Sequence, residues 1–126
     1  MIKVTLNDIL NAGEAFSNMM TQSVKGSTAF KIARLARELS KENETFNTER
    51  QKMLQEYCVK DENGQLETDD NDNVKILPDK IGEFNKEFKA LLDTEVEINA
   101  DKLSIDTLDE FDLTPQQMIF LDKFFE

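Results

Sequence analysis

The sequence predicts a mostly helical α+β fold with a long antiparallel helix pair, a small terminal β element and a C-terminal helix. Residues 28–58 contain neither Pro nor Gly and are rich in good helix formers, which indicates one long helix. Residues 2–5 and 95–98 alternate apolar and polar side chains, as half-buried strands do. The run Thr114-Pro115-Gln116-Gln117 is typical of a capped helix start.

A chain of 126 residues is expected to form a single domain over 1–126. The composition is 39% hydrophobic and 33% charged and includes nine Phe. This is too rich in core-forming residues for a chain that is disordered throughout. The size therefore allows a modest hydrophobic core.

The first helix is predicted to start where Thr5 caps it together with Asp8, directly after the strand over residues 2–5. Its apolar face is expected to comprise Leu6, Ile9, Leu10, Phe16 and Met20. Because Gly commonly follows the end of a helix, Lys25-Gly26 is predicted to end it. Ser27 or Thr28 would then cap the second helix.

The second helix needs a partner along its length. Its apolar residues Ile32, Leu39, Phe46 and Met53 recur every seven positions. At about 1.5 Å per residue the helix would span on the order of 45 Å, so either another helix of this chain or another subunit must cover it. A third helix starting at Pro78 is the candidate for antiparallel packing. Its apolar residues are Ile81, Phe84, Phe88, Leu91 and Leu92.

Residues 59–77 break the helical pattern. Gln65–Thr68 and Val74–Leu77 flank the acidic run Asp69–Asn73, which predicts a β-hairpin with an acidic tip. A disordered acidic loop is the alternative. The strand over 95–98 is expected to pair with residues 2–5, and 103–112 to form an irregular connection.

Charge is distributed unevenly along the chain. Residues 1–58 carry 8 Lys or Arg and 7 Asp or Glu, whereas residues 59–126 carry 7 Lys and 19 Asp or Glu. A net charge of −11 disfavours direct contact with nucleic acid or anionic membranes. It indicates either binding to a basic partner or a surface whose charge serves solubility. The predicted partner-binding residues are Asp61, Glu62, Glu67, Asp69, Asp70, Asp72, Glu95, Glu97, Asp109, Glu110 and Asp112, with Asp101 and Asp106 on the same candidate surface.

The chain lacks the residues that several kinds of catalytic site require. The chain has no His and one Cys, so it offers no Ser-His-Asp triad and no His- or Cys-rich zinc site. Four scattered Gly cannot form a phosphate loop, and the acidic run fits no EF-hand frame, since Val74 stands where Gly is needed. We expect neither enzymatic activity nor a cofactor or metal site. With no secretory signal or apolar span in the sequence, we expect a cytoplasmic protein.

Two further clusters bear on association. Lys25, Lys31, Arg34, Arg37 and Lys41 form a basic stretch that is either a solvated face or a docking site for an acidic segment, including that of a second copy. Among Phe120, Phe124 and Phe125, two are expected in the core, with Phe125 reaching a neighbour. A homodimer is predicted. The predicted self-association residues are Phe46, Met53, Phe120, Phe124 and Phe125.

Short segments along most of the chain carry a resemblance to other proteins. They are Lys3–Asn7, Phe30–Arg34, Gln51-Lys52, Lys60–Gly64, Glu83–Asn85, Leu91-Leu92, Glu95–Ile98, Leu113–Pro115, Met118 and Leu121. In these segments the chain resembles an uncharacterised family of small acidic proteins encoded by tailed phages, mainly of Gram-positive bacteria. None of the segments is a catalytic motif, and Asp69–Asn73 lies outside the pattern. The resemblance implies a phage origin and an α+β fold built on a helix pair.

Two functional hypotheses follow, together with a weaker third. The first is a DNA-mimicking inhibitor that binds a host nucleic-acid-handling or defence protein through its acidic half, in the cytoplasm of the bacterial host. The second is a virion or assembly component that packs through its long helix and C-terminal Phe cluster. The third is an accessory subunit of an enzyme.

Overall fold

A computed structural model describes residues 1–71 and 74–126, and the fold is mostly helical with one small sheet. The strands and α-helices are β1 (Ile2–Thr5), α1 (Leu6–Met20), α2 (Gly26–Tyr57), α3 (Ile81–Leu92), β2 (Glu95–Ile98) and α4 (Pro115–Leu121), with 3₁₀ turns at Pro78–Lys80, Ile105–Glu110 and Asp122–Phe124. The predicted fold class is therefore confirmed. The single domain predicted over 1–126 is organised as two compact units, a first unit of residues 1–43 and 94–126 and a second unit of residues 44–93.

The sheet of the first unit joins two distant segments of the chain. β1 and β2 pair antiparallel, with Ile2 opposite Ile98 and Val4 opposite Val96, which confirms the predicted pairing. Ile2 and Ile98 are almost completely buried, whereas Lys3 and Glu97 face solvent. The alternation seen in the sequence thus places one face of the sheet on the core.

Helix α1 starts where the sequence predicts and ends earlier than predicted. The Asp8 amide donates to Thr5 Oγ1 at 3.1 Å, and the Thr5 amide donates to Asp8 Oδ2 at 2.9 Å, so the capping box is complete. The helix ends at Met20 rather than at Lys25-Gly26. Its core face also differs from the prediction, because Met19 is buried while Met20 is 54% exposed.

The predicted caps of α2 at Ser27 or Thr28 are wrong. The Ala29 amide donates to the Lys25 carbonyl at 2.9 Å, and α2 begins at Gly26. Helical hydrogen bonding is therefore established before either hydroxyl residue could act as a cap. Thr28 lies inside the helix, buried, and its hydroxyl donates to Glu110 Oε2.

The C-terminal residues complete the core of the first unit. Helix α4 has the predicted capping box, in which the Gln117 amide donates to Thr114 Oγ1 at 3.2 Å. Phe124 is fully buried and meets Phe16 edge-on at a centroid distance of 5.6 Å. Phe125 forms a parallel bridge with Leu103. This pairing with the connection over 103–105 fixes the chain's last residues in the unit.

The second unit contains a helix pair formed by the last part of α2 and by α3. Tyr57 meets the Phe84 ring at 6.2 Å, and Phe46 meets the Phe88 ring at 6.0 Å. Since the later residue of α2 contacts the earlier residue of α3, the two helices run antiparallel, as predicted. Phe84 and Phe88 also stack on each other at 5.7 Å.

The segment between α2 and α3 forms bridges rather than strands. Thr68 pairs with Val74 in an antiparallel bridge, so the two arms of the predicted hairpin do meet, without a continuous ladder. The Val59 amide donates to the Lys75 carbonyl, Lys75 to Glu67, and Glu67 to Val59, each at 2.9 Å. Three short segments therefore pair with one another in a closed ring of hydrogen bonds. Residues 72 and 73, at the predicted acidic tip, lie outside the described residues.

The predicted self-association surface is mostly buried within the chain. Phe46 and Phe125 are each 5% exposed, and Phe124 is 0% exposed. The expectation that Phe125 reaches a neighbour is thus wrong, because its side chain is already covered by its own chain. Met53 and Phe120 are half-buried. Much of the apolar stripe of α2 is buried as well, at Ile32, Leu35, Leu39, Phe46, Leu54 and Tyr57. Helix length alone therefore gives no reason to expect a homodimer.

Candidate functional site

The predicted acidic surface is divided between the two units. Asp61, Glu62, Glu67, Asp69 and Asp70 belong to the second unit, and Asp72 lies outside the described residues. Glu95, Glu97, Asp101, Asp106, Asp109, Glu110 and Asp112 belong to the first unit. The first unit contains 8 Lys or Arg and 13 Asp or Glu, and the second 7 and 13. The imbalance along the sequence thus becomes nearly equal negative charge on each unit.

In the second unit, two of the predicted residues form turns. Asp61 Oδ1 accepts from the amides of Asn63 and Gln65 at 2.8 and 2.9 Å, which holds the turn where Gly64 has a φ of 78°. Asp69 Oδ1 accepts from the Asn71 amide at 2.8 Å. Asp and Asn favour such turns because their short side chains bond to the following backbone. Turn formation therefore accounts for the presence of Asp at these two positions.

In the first unit, two elements present carboxylates to solvent. Strand β2 alternates, so Glu95 and Glu97 point away from the core that Ile98 enters. In the 3₁₀ turn over Ile105–Glu110, side chains three apart lie over one another, which places Asp106 and Asp109 on the same side. Among the described residues, none of these four carboxylates makes an ion pair.

The carboxylate of Glu110 and the backbone of Asp112 are held by hydrogen bonds. Glu110 accepts the hydroxyl of the buried Thr28. The Gln22 side chain binds the backbone of Asp112 on both sides, accepting from its amide at 2.9 Å and donating to its carbonyl at 3.0 Å. Asn18 Nδ2 donates to the same carbonyl at 3.2 Å. Sequence reasoning missed Gln22, because nothing distinguishes a bridging amide from any other surface Gln.

The basic stretch of the sequence lines a groove of about 510 Å³ in the first unit. Lys31, Arg34 and Arg37 of α2 form one side, with Phe30 beside them. The remaining lining is Met1, Leu35, Glu38, Asn99, Ala100, Asp101 and Leu103. We call this the basic groove. Lys25 and Lys41 do not line it, and Lys41 instead pairs with Glu38 at 2.9 Å.

A second groove of the first unit, about 500 Å³ in volume, lies between α1 and the early part of α2. Small residues line much of it, including Gly13, Ser17, Ala36 and Ser40. A Cβ built on Gly13 would meet nothing within 4 Å. The absence of side-chain volume at this position contributes to the groove, and none of the described residues that line it is charged.

Among the residues that the structure describes, three ionisable groups have shifted pKa values, and none of the three lines either groove. Burial opposes ionisation of Asp8, but hydrogen bonds from Lys123 and Thr5 outweigh it and lower the pKa. The hydrogen bond that Tyr57 donates to Glu87 at 2.6 Å, followed by burial and nearby carboxylates, raises the pKa of Tyr57 to about 12. Burial raises the pKa of the Cys58 thiol. Each of these pKa shifts has a local structural cause.

The described chain provides no cluster of metal ligands: across residues 1–71 and 74–126 no three His, Cys, Asp or Glu side chains are placed to hold an ion. No described helix combines the length and apolar character needed to cross a membrane.

Comparison with known proteins identifies no relative. No protein-family model matches the chain, no curated protein is similar to it in sequence, and no solved structure is similar to its fold. The resemblance to small phage proteins therefore stays a prediction.

Proposed function

We propose that the chain is a non-enzymatic binding protein that docks on a basic, nucleic-acid-handling protein through exposed carboxylates of its first unit. The observation that carries the proposal is the placement of Glu95, Glu97, Asp106 and Asp109. All four are exposed, and none has a cationic partner among the described residues. Their negative field is available to a partner.

Unpaired carboxylates on an acidic protein mainly affect the rate at which it associates with a basic partner. Complementary charge steers encounter and raises the association rate, and the effect weakens as salt screens it. Proteins that handle nucleic acid concentrate Lys and Arg where phosphates bind, so a surface of carboxylates can occupy the same site. The net charge of −11 makes the protein itself a poor nucleic-acid binder.

The proposal extends to origin and place of action. A phage-encoded protein in the cytoplasm of a bacterial host would meet host nucleases, polymerases and defence proteins that carry such basic channels. The sequence resemblance to phage proteins motivates this setting. In this setting the protein needs neither cofactor nor metal.

The test is a tagged pull-down from infected host cells, at low and high salt, with recovered proteins identified by mass spectrometry. The variant Glu95→Gln, Glu97→Gln, Asp106→Asn, Asp109→Asn removes the four charges while preserving side-chain shape. Because it loses the field on which docking depends, we expect it to lose a salt-sensitive nucleic-acid-handling partner that the wild type retains.

The matched control neutralises four exposed carboxylates of the second unit, with Glu44→Gln, Glu56→Gln, Asp79→Asn and Asp93→Asn. Its net charge equals that of the first variant. If both variants lost the partner equally, only the overall charge of the protein would matter for binding. A partner retained by both variants and at high salt would exclude docking through these carboxylates.

Two residues of the surface predicted for the assembly alternative, Phe124 and Phe125, are buried, whereas Met53 and Phe120 are half-buried. On α4, Met118 and Ile119 are 39% and 70% exposed, so both are accessible to an assembly partner. The same pull-down separates the two functions: recovery of phage structural proteins alone would favour assembly.

A further inference from the structure

The basic groove has the opposite charge from the rest of the chain. Lys31, Arg34 and Arg37 follow one another at intervals of three along α2, so their side chains share one face of the helix. All three are exposed, and none makes an ion pair with a carboxylate of the described residues. Three cationic side chains thus lie together on an acidic protein without carboxylate partners.

Both carboxylates of the groove have cationic partners other than Lys31, Arg34 and Arg37. Glu38 is bound to Lys41 at 2.9 Å, and Asp101 lies 3.7 Å from the Met1 amino group. The cations Lys31 and Arg34 therefore face the groove without a competing carboxylate bound to them. A ligand carboxylate can approach them without first displacing a pairing partner.

An exposed aromatic ring lies beside these cations. Phe30 is 62% exposed, and the Arg34 guanidinium lies 5.7 Å from its ring centroid, which is cation–π distance. The buried Leu35 and the half-buried Leu103 add apolar lining. The groove thus offers an apolar contact and three positive charges within one cavity.

We propose that the basic groove binds an extended acidic peptide segment of another protein, with an apolar side chain packed on Phe30 and carboxylates on Lys31, Arg34 and Arg37. A volume of about 510 Å³ accommodates a few side chains. The exposed ring favours a ligand that mixes apolar and acidic residues. This partner is opposite in charge to the one bound by the acidic surface, so the two surfaces serve different partners.

A peptide fits this groove better than a nucleic acid. A nucleic acid carries a charge at every nucleotide, so the chain's net charge of −11 repels it more strongly than it repels a peptide with only a few carboxylates. Glu38 and Asp101 in the lining add local repulsion. A peptide can place its carboxylates only at the cations, with uncharged residues opposite Glu38 and Asp101.

The experiment is fluorescence anisotropy with a labelled synthetic peptide in which Asp and Glu alternate with Ser and one Ser is replaced by Phe. We expect saturable, salt-sensitive binding to the wild-type protein. The variant Lys31→Gln, Arg34→Gln, Arg37→Gln should bind roughly tenfold more weakly, because each lost ion pair contributes modestly. Phe30→Ala should weaken binding of this peptide and leave unchanged that of a version with Ser in place of Phe.

The matched control is Lys52→Gln, Lys86→Gln, Lys89→Gln, which removes three exposed cations outside the groove and should bind as the wild type does. Equal weakening by the control would overturn the proposal. So would tighter binding of an oligothymidine, or of a peptide with Lys in place of each Asp and Glu, than of the acidic peptide. Sedimentation of the protein alone supplies another check. Self-association that the groove variant abolishes would assign the groove to a second copy instead.

Discussion

The two units bury their apolar residues to different extents. The first unit combines a strand ladder with side chains from β1, α1, α2, β2 and the C-terminal residues, and Ile2, Ile98 and Phe124 are at most 1% exposed. Among the described residues of the second unit, 44–71 and 74–93, the buried ones are Phe46, Leu54, Tyr57 and Cys58, all on α2 or directly after it. Helix α3 contributes half-buried Phe84 and Phe88 and no fully buried residue.

This difference predicts uneven stability within one chain. Burial of apolar surface contributes about 25 cal/mol per Å², so a unit with fewer buried side chains opens at a lower free-energy cost. Both candidate interaction surfaces lie in the first unit, where the larger core fixes the backbone. A rigid support is what a binding surface requires if it is to keep its geometry.

The largest expected effect is the loss of Phe124. Its fully buried ring packs edge-on against Phe16, so Phe124→Ala removes core volume as well as an aromatic pair. We expect the free energy of unfolding to fall by about 3–5 kcal/mol. Urea unfolding followed by circular dichroism measures this change.

The matched substitution in the second unit is Phe88→Ala. Phe88 is half-buried and contacts Phe46 and Phe84. We expect a loss of about 2 kcal/mol, with faster hydrogen exchange confined to residues 44–93. A loss as large as that of Phe124→Ala would contradict the difference between the units.

A smaller effect is expected at the start of α4. The Thr114 hydroxyl accepts the Gln117 amide, and Thr114→Ala leaves that amide unsatisfied. The cost should be about 1 kcal/mol in thermal or urea unfolding. Thr114→Ser retains the hydroxyl and serves as the control, so an equal loss in both variants would exclude capping as the cause.

The smallest effect concerns Tyr57, the only Tyr in a chain without Trp. Its pKa rises from 10.0 to about 12, first because its hydroxyl donates to Glu87. The stabilisation is therefore complete below pH 10.0 and is lost as the pH rises through about 12. Ultraviolet titration of the phenol measures this pKa, and Glu87→Ala should lower it towards 10.0.

Wild-type ionisation near pH 10.0 would show that the hydrogen bond between Tyr57 and Glu87 is not maintained. Combined with faster amide exchange confined to residues 44–93, it would sharpen the comparison, because it would show that the second unit opens at a pH where the first remains folded. Backbone amide exchange at the same pH identifies which residues have opened.

The sequence predicts local features of the fold well. The two capping boxes, at Thr5 and Thr114, depend on residues three apart and form as expected. The alternation in residues 2–5 and 95–98 predicts both strands and their pairing. The start of α2 was missed because Ser27 and Thr28 are good caps in isolation, whereas the packing of the buried Thr28 with Glu110 is a tertiary effect.

The candidate surfaces were only partly predictable. The basic residues of α2 were visible as a cluster, but the groove also requires Asn99, Ala100, Asp101 and Leu103, which are distant in the sequence. The acidic half looked like one surface, because sequence position cannot tell that residues 61–71 and 95–112 fold into separate units. The terminal Phe residues looked available for association, and the structure uses Phe124 and Phe125 in its own core.

The sequence by itself therefore determined the helices, the strand pair, the caps and the excess negative charge. These features follow from periodicity, local hydrogen bonds and composition, which act over a few residues or need no geometry. Tertiary structure decided which aromatic rings are buried, which carboxylates stay unpaired and where Lys31, Arg34 and Arg37 meet a cavity. These outcomes depend on contacts between residues far apart in the chain, and only the folded backbone brings those residues together.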